Sequence, residues 1–166
     1  MNYPDNIEEI KKFAKKIKLD VEYLLGEKYE GDLNLSSVKS LPNNIQLNVG
    51  GWLDLFSVRS LPANIQFIVG GYLYLNSVQS LPDNIVFNVG GYLWLDSVEY
   101  LPDNIVFNVE GNLDLSSVRS LPDNIVFNVG SDLWLSCVES VSSNIELNVN
   151  GKIYFPIDHK VKVIWN

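Results

Sequence analysis

Few residues in this chain have types and spacings that chemistry could use. The one histidine, His159, stands beside Asp158, and an imidazole next to a carboxylate is the base half of a nucleophilic triad. No serine or cysteine is tied to that pair by a recognisable motif. The one cysteine, Cys137, falls in a column otherwise held by Ser37, Ser57, Ser77, Ser97 and Ser117. It therefore reads as a small packed residue and not as a nucleophile. One cysteine and one histidine also exclude a disulfide framework and a zinc site built from these two ligand types.

Carboxylates remain. Asp83, Asp103 and Asp123 recur every 20 residues, and stacked about 5 Å apart they could hold calcium between them. The Pro-Asp-Asn turn in which each sits explains them without a metal, because Asp bonds the local backbone there. Neither the EF-hand pattern nor the calcium-binding nonapeptide is present. Asp96 and Asp114 are placed as neighbours for carboxylate-pair hydrolysis, but a solvated setting on a sheet surface suits neither role. The expectation is a chain that is not an enzyme, with no catalytic residue, no metal and no cofactor.

The spacing of 20 is the dominant signal. From Gly31 the sequence runs GDLNLSSVKSLPNNIQLNVG, GWLDLFSVRSLPANIQFIVG, GYLYLNSVQSLPDNIVFNVG, GYLWLDSVEYLPDNIVFNVE, GNLDLSSVRSLPDNIVFNVG and SDLWLSCVESVSSNIELNVN, then the partial unit GKIYFPIDHK. Within the fourth copy Leu93 and Leu95 alternate with Tyr92 and Trp94, and Ile105, Phe107 and Val109 alternate with Asn104, Val106 and Asn108. Period-two patterning predicts two short strands per copy. Val98 and Leu101 lie between them, Pro102, Asp103 and Asn104 make a turn, and Gly90 and Gly91 mark a bend where a Cβ is costly.

Each copy points about seven apolar side chains inward, and a lone coil cannot bury that face, so neighbours must stack. The predicted fold is mainly β: a parallel β-solenoid of six 20-residue coils over 31–150, with a helical cap over 1–30 and a capping coil and strand over 151–166. In the cap, Ile7, Ile10, Phe13, Ala14 and Ile17 share a helical face, and Asp5 with Glu8 reads as an N-cap and its box partner. At the far end Val161, Val163 and Trp165 alternate with Lys160, Lys162 and Ile164, a terminal strand whose lysines discourage edge pairing. Asn44, Asn64, Asn84, Asn104, Asn124 and Asn144 form one column, and Asn48, Asn88, Asn108, Asn128 and Asn148 another. Both are expected to pass amide hydrogen bonds between rungs.

SLPDNI at this spacing, with the leucine pair of GYLWL, resembles the short bacterial leucine-rich repeats. LPDNIVFNVGGYLWL also resembles an LP…VGGxLxL repeat family of bacterial and phage proteins. The likeness covers 31–150. It departs in having no asparagine after the leucine pair and in the Gly-Gly bend, so the body either opens into a horseshoe or closes into a β-helix-like tube. The resemblance implies protein or ligand binding and carries over no catalytic residue.

Positions two, four and six of each copy face outward and are free of the core. They read Trp52, Asp54 and Phe56; Tyr72, Tyr74 and Asn76; Tyr92, Trp94 and Asp96; Asn112, Asp114 and Ser116; Asp132, Trp134 and Ser136. Stacked, these place aromatics across a sheet face with acids around them, which fits either interface anchors or a self-stabilising aromatic ladder. Residues 31–150 hold three bases against twelve acids, a net of −9 within a whole-chain charge of −8. That balance argues against a direct grip on nucleic acid and favours a protein partner with a basic surface.

One specific form is a phage-encoded inhibitor of a nucleic-acid-handling defence complex, such as an anti-CRISPR. Other readings are a self-assembling solenoid that dimerises through the stripe Val86, Val106 and Val126, flanked by Gln46, Gln66 and Glu146, and a carbohydrate-binding module using the aromatic row. No apolar run is long enough to span a membrane and the N-terminus has no secretory pattern, so a cytoplasmic location is expected.

Overall fold

Two parallel sheets run the length of a computed structural model that describes residues 4–142 and 144–156. The terminal strand expected at 160–165 and the His159–Asp158 pair lie outside the described residues. Seven two-residue strands form the first sheet: Leu33–Asn34, Leu53–Asp54, Leu73–Tyr74, Leu93–Trp94, Leu113–Asp114, Leu133–Trp134 and Ile153–Tyr154. Six longer strands form the second: Gln46–Val49, Gln66–Val69, Val86–Val89, Val106–Val109, Ile125–Val129 and Ile145–Val149. Each residue pairs with the one 20 positions on, as Leu93 with Leu113 and Phe87 with Phe107. The chain is thus a β-solenoid with two principal strands per coil around one interior.

A third, thinner ladder runs along the corner between the sheets. Ser60, Ser80, Tyr100 and Ser120 bridge in sequence, and Ser120–Leu121 pairs with Ser140–Val141. At the opposite bend the amide of Gly71 donates to the carbonyl of Gly51 at 2.9 Å, so pairing continues around the coil. A Cβ on Gly90 would clash with the carbonyl oxygen of Gly70, which explains the small residue there. Glu110 and Asn150 occupy the same column at later coils.

The predicted inward set is the observed core. In the fourth coil Leu93, Leu95, Val98, Leu101, Ile105, Phe107 and Val109 are all buried, and no polar or charged side chain is buried anywhere among the described residues. Phe67, Phe87, Phe107 and Phe127 stack ring on ring at 5.7, 5.6 and 5.5 Å, nearly parallel. Their offset-stacked spacing adds to the burial of each ring.

The Asn48 column bonds between rungs over its last four members, whereas the Asn44 column does so only between Asn64 and Asn44 (3.4 Å) and between Asn124 and Asn104 (3.0 Å). The side-chain amide of Asn108 donates a hydrogen bond to Asn88 (3.1 Å), that of Asn128 to Asn108 (2.9 Å) and that of Asn148 to Asn128 (2.9 Å). Ile68 interrupts that column, and Asn48 turns instead to the carbonyl of Gly26. The other column has a second cause: Asn44, Asn64, Asn84, Asn104 and Asn124 all sit at φ of 58 to 60°. That left-handed conformation is one asparagine tolerates better than most residues.

A helix, α1 (Ile7–Ile17), and a 3-10 turn (Val21–Leu24) close the first coil, with Ile10 and Leu24 fully buried. Leu25 and Tyr29 then pair with Gln46 and Val49, so the cap ends in a partial rung of the second sheet. The N-cap is Asn6 and not Asp5, and it makes no side-chain capping bond. Its side chain is committed elsewhere, donating to the carbonyl of Asn43 at 2.7 Å and accepting from the Asn44 amide at 3.1 Å. Glu8 pairs with Lys11 instead of completing a box. No described helix is long and apolar enough to cross a membrane.

Three substitutions test this framework. Phe107→Ala removes a ring from the middle of the stack and should cost about 3–5 kcal/mol of unfolding free energy in urea titration. Asn104→Ala should lose about 1–2 kcal/mol from the left-handed φ alone, whereas Asn104→Gly relieves φ and forfeits only the amide bond. If the two Asn104 variants melt alike, the φ requirement is not what holds asparagine there.

Candidate binding face

The first sheet turns its even-numbered side chains to solvent, and its register brings position four of successive coils together. Tyr74 stacks on Trp94 with centroids 4.5 Å apart and planes 7° from parallel. The fifth coil has Asp114 at this position, which would leave a gap between Trp94 and Trp134. Tyr92 fills it. Its ring lies 3.8 Å from Trp94 and 5.7 Å from Trp134, stacked on both. Tyr154 extends the column beyond Trp134 at 5.2 Å. Tyr74, Trp94, Tyr92, Trp134 and Tyr154 therefore form one continuous stack across coils with different residues at the shared position.

Tyr72 stands against this stack edge-on, 6.4 Å from Tyr74 and 5.9 Å from Trp94, and is half exposed. Phe56, in the second coil, is 53% exposed, and Trp52 beside it is half-buried. The expected residues thus divide. Trp94, Tyr92, Tyr74 and Trp134 are partly covered by one another, whereas Tyr72 and Phe56 project.

Several acids on this face have backbone partners. Asp54 accepts the amide of Phe56 and Asp114 that of Ser116, both at 2.9 Å, closing the turn after each strand. Asp32 accepts the amide of Trp52, Asn112 that of Asp132, and Asp132 that of Lys152, at 2.8 to 2.9 Å. A short polar side chain at position two therefore also holds the next rung in place. Asp96 accepts only from the side chain of Asn76, at 3.1 Å, and is the acid here least committed to the backbone.

Sequence reasoning missed Tyr154, although it holds position four of the partial unit, and the bridging course of Tyr92, which follows from the small residues of the coil above. Cys137, expected as a packed residue, is exposed. In its column Ser57, Ser77, Ser97 and Ser117 are half-buried, and Ser37 is exposed like Cys137.

On the second sheet Val86 and Val106 are exposed and Val126 half-buried, in register with Gln46, Gln66 and Glu146. Ile68 adds an exposed apolar group beside them. Among the described residues no three His, Cys, Asp or Glu side chains converge as a metal site, the column Asp83, Asp103 and Asp123 included.

Burial, and then the charges of Asp114, Asp96 and Asp132, push the Tyr92 hydroxyl up from 10.0 to about 12. The neutral phenol is thus favoured by folding. The stability it contributes is complete below pH 10 and is lost as pH rises towards 12. Ultraviolet titration of tyrosinate should show a late component that Tyr92→Phe removes and Asp114→Asn moves to lower pH.

No protein-family model, curated protein or solved structure matches this chain.

Proposed function

We propose that the chain is a non-enzymatic binding scaffold whose first-sheet face docks a protein with a basic, arginine-bearing surface. The observation that carries this reading is the combination of projecting Tyr72 and Phe56 with a stacked aromatic floor and surrounding acids. A ladder that only stabilised itself would need neither projecting ring, since both expose about half their surface. Guanidinium groups stack on aromatic faces and pair with carboxylates, so they match both features of the face. The net of −9 over the coils steers such a partner to it.

A narrower form is a phage-encoded inhibitor, such as an anti-CRISPR, that fills the basic groove of a nucleic-acid-handling defence complex. Its support is the acidic charge, the small size and the likeness to repeats of phage proteins. A cytoplasmic setting belongs to the same reading. Carbohydrate binding through the same rings is the competing use of the face.

Tryptophan fluorescence separates these. An arginine-rich peptide should perturb the emission saturably, more strongly than a lysine peptide of equal charge, and with an affinity that falls as salt rises. Tyr72→Ala with Asp96→Asn should weaken that binding about tenfold or more while leaving the far-ultraviolet dichroism unchanged. A response to a glycan panel with none to the peptides would overturn the proposal in favour of a carbohydrate module.

A further inference from the structure

The corner ladder carries one residue that stacking does not explain. Its column reads Ser40, Ser60, Ser80, Tyr100, Ser120 and Ser140. Tyr100, at 63% exposure, is the most exposed large apolar side chain among the described residues, and no other described ring packs against it. An aromatic side chain left in water where five neighbours are serine is a candidate anchor.

Three coils back along the same corner, a groove of about 420 Å³ opens between α1 and the first coil. Phe13, Leu41 and Pro42 supply apolar surface, and Lys12 and Lys16, one helical turn apart, are exposed along it. Ser40, the counterpart of Tyr100, also lines it, as does Glu9, one acid against two bases. The groove could take an aromatic ring flanked by acids. Tyr100 is such a ring, with Glu99 before it and Asp103 three residues on.

We propose that this corner is where two copies of the chain meet, antiparallel, each seating Tyr100 in the α1 groove of the other. Groove and ring lie on one edge, about 14 Å apart at ~4.8 Å per rung. A two-fold axis between the second and third coils then brings both pairs into contact together, as an isologous interface requires. The charges along position nine agree with that direction. Lys39, Arg59, Gln79 and Glu99 occupy it in coils one to four, so antiparallel pairing sets Lys39 against Glu99 twice and Arg59 against Gln79 twice. Parallel pairing would oppose Lys39 to Lys39 and Glu99 to Glu99.

Glu99 already touches Arg119 through one oxygen, at 3.4 Å, and offers the other. Ser60 and Ser80, between the two contacts, are small enough for the corners to approach. A strip of this extent belongs with the smaller interfaces, so the dimer should be a concentration-dependent equilibrium. This surface is separate from the aromatic face of the first sheet and from the valine stripe of the second.

Sedimentation velocity over a range of concentrations tests the proposal. The wild type should pass from monomer to dimer. Tyr100→Ser, which installs the residue that the other coils carry and should not disturb the fold, should weaken the dimer at least tenfold. Lys39→Glu and Glu99→Lys should each weaken it, and the two together in one chain should associate more tightly than Glu99→Lys alone, because the Lys39–Glu99 pair is then inverted while Lys12 and Lys16 still oppose the new charge at position 99. Glu99→Lys loses the Arg119 contact in both backgrounds, so that loss cancels in the comparison. A wild type that stays monomeric, a Tyr100→Ser dimer of undiminished affinity, or a double variant no tighter than Glu99→Lys alone would overturn the proposal.

Discussion

Between the end coils, every inward side chain is covered by the same position of the coil above and the coil below. A coil of 20 residues encloses too little volume to bury Leu93, Leu95 and Phe107 by itself, so stability resides in the contact between coils. That requirement forces strict register. A slip of one residue would carry the whole apolar set of a strand to the outside. It also makes each choice repeat: a ring at position 17 is best met by another ring, hence the phenylalanine stack, and an amide by another amide, hence the ladder from Asn88 to Asn148. The ends cannot satisfy the rule. At the first coil the deficit is met by Ile10 and Leu24 of the cap, which are fully buried.

Outside, the same register imposes less but is not silent. A parallel rung must place its backbone amides somewhere, and at position two a short acid or amide receives the amide of the next rung, as Asp32 and Asp132 do. The third and fourth coils, with Tyr72 and Tyr92 at position two, have ring contacts in place of that bond. The fourth and fifth coils show the exchange within one pair: Tyr92 leans into the space that Asn112 and Asp114 leave, and Asn112 in turn holds Asp132. Acidity on this face is thus partly a consequence of how the rungs are joined. The side chains on this face least used in joining rungs are Phe56, Tyr72, which only rests edge-on against its neighbours, and Asp96, whose one partner is the Asn76 side chain.

This division decides what could be read in the sequence. Period-two alternation inside a period of 20 is a local signal, and it identified the core, the second strand and the asparagine columns. Positive φ at Asn104 and its equivalents was hidden because the turn formers Pro, Asp and Asn fit several turn conformations. The true N-cap was missed because Asp5 and Asn6 are equally good caps in isolation. Only the docking of α1 onto Asn43 and Asn44 distinguishes them. The bridging ring of Tyr92 depends on a neighbour 22 positions away, beyond any pattern internal to one copy. The exposed tyrosine at position ten was visible as an odd member of a serine column, but its meaning required the groove beside Ser40.

A perfectly repeated solenoid has no address. Shifted by one rung of ~4.8 Å, its surface would present a partner with the same contacts, and the complex would have several registers of equal energy. The departures from the repeat remove that degeneracy. Tyr100 occurs once, the projecting rings belong to the second and third coils, and position nine runs from basic in the first coil to acidic in the fourth. Each departure sits at an outward position where the core imposes no choice. Uniformity within and singularity without follow from the same constraint, because only side chains that stacking does not use are free to mark one coil from the next.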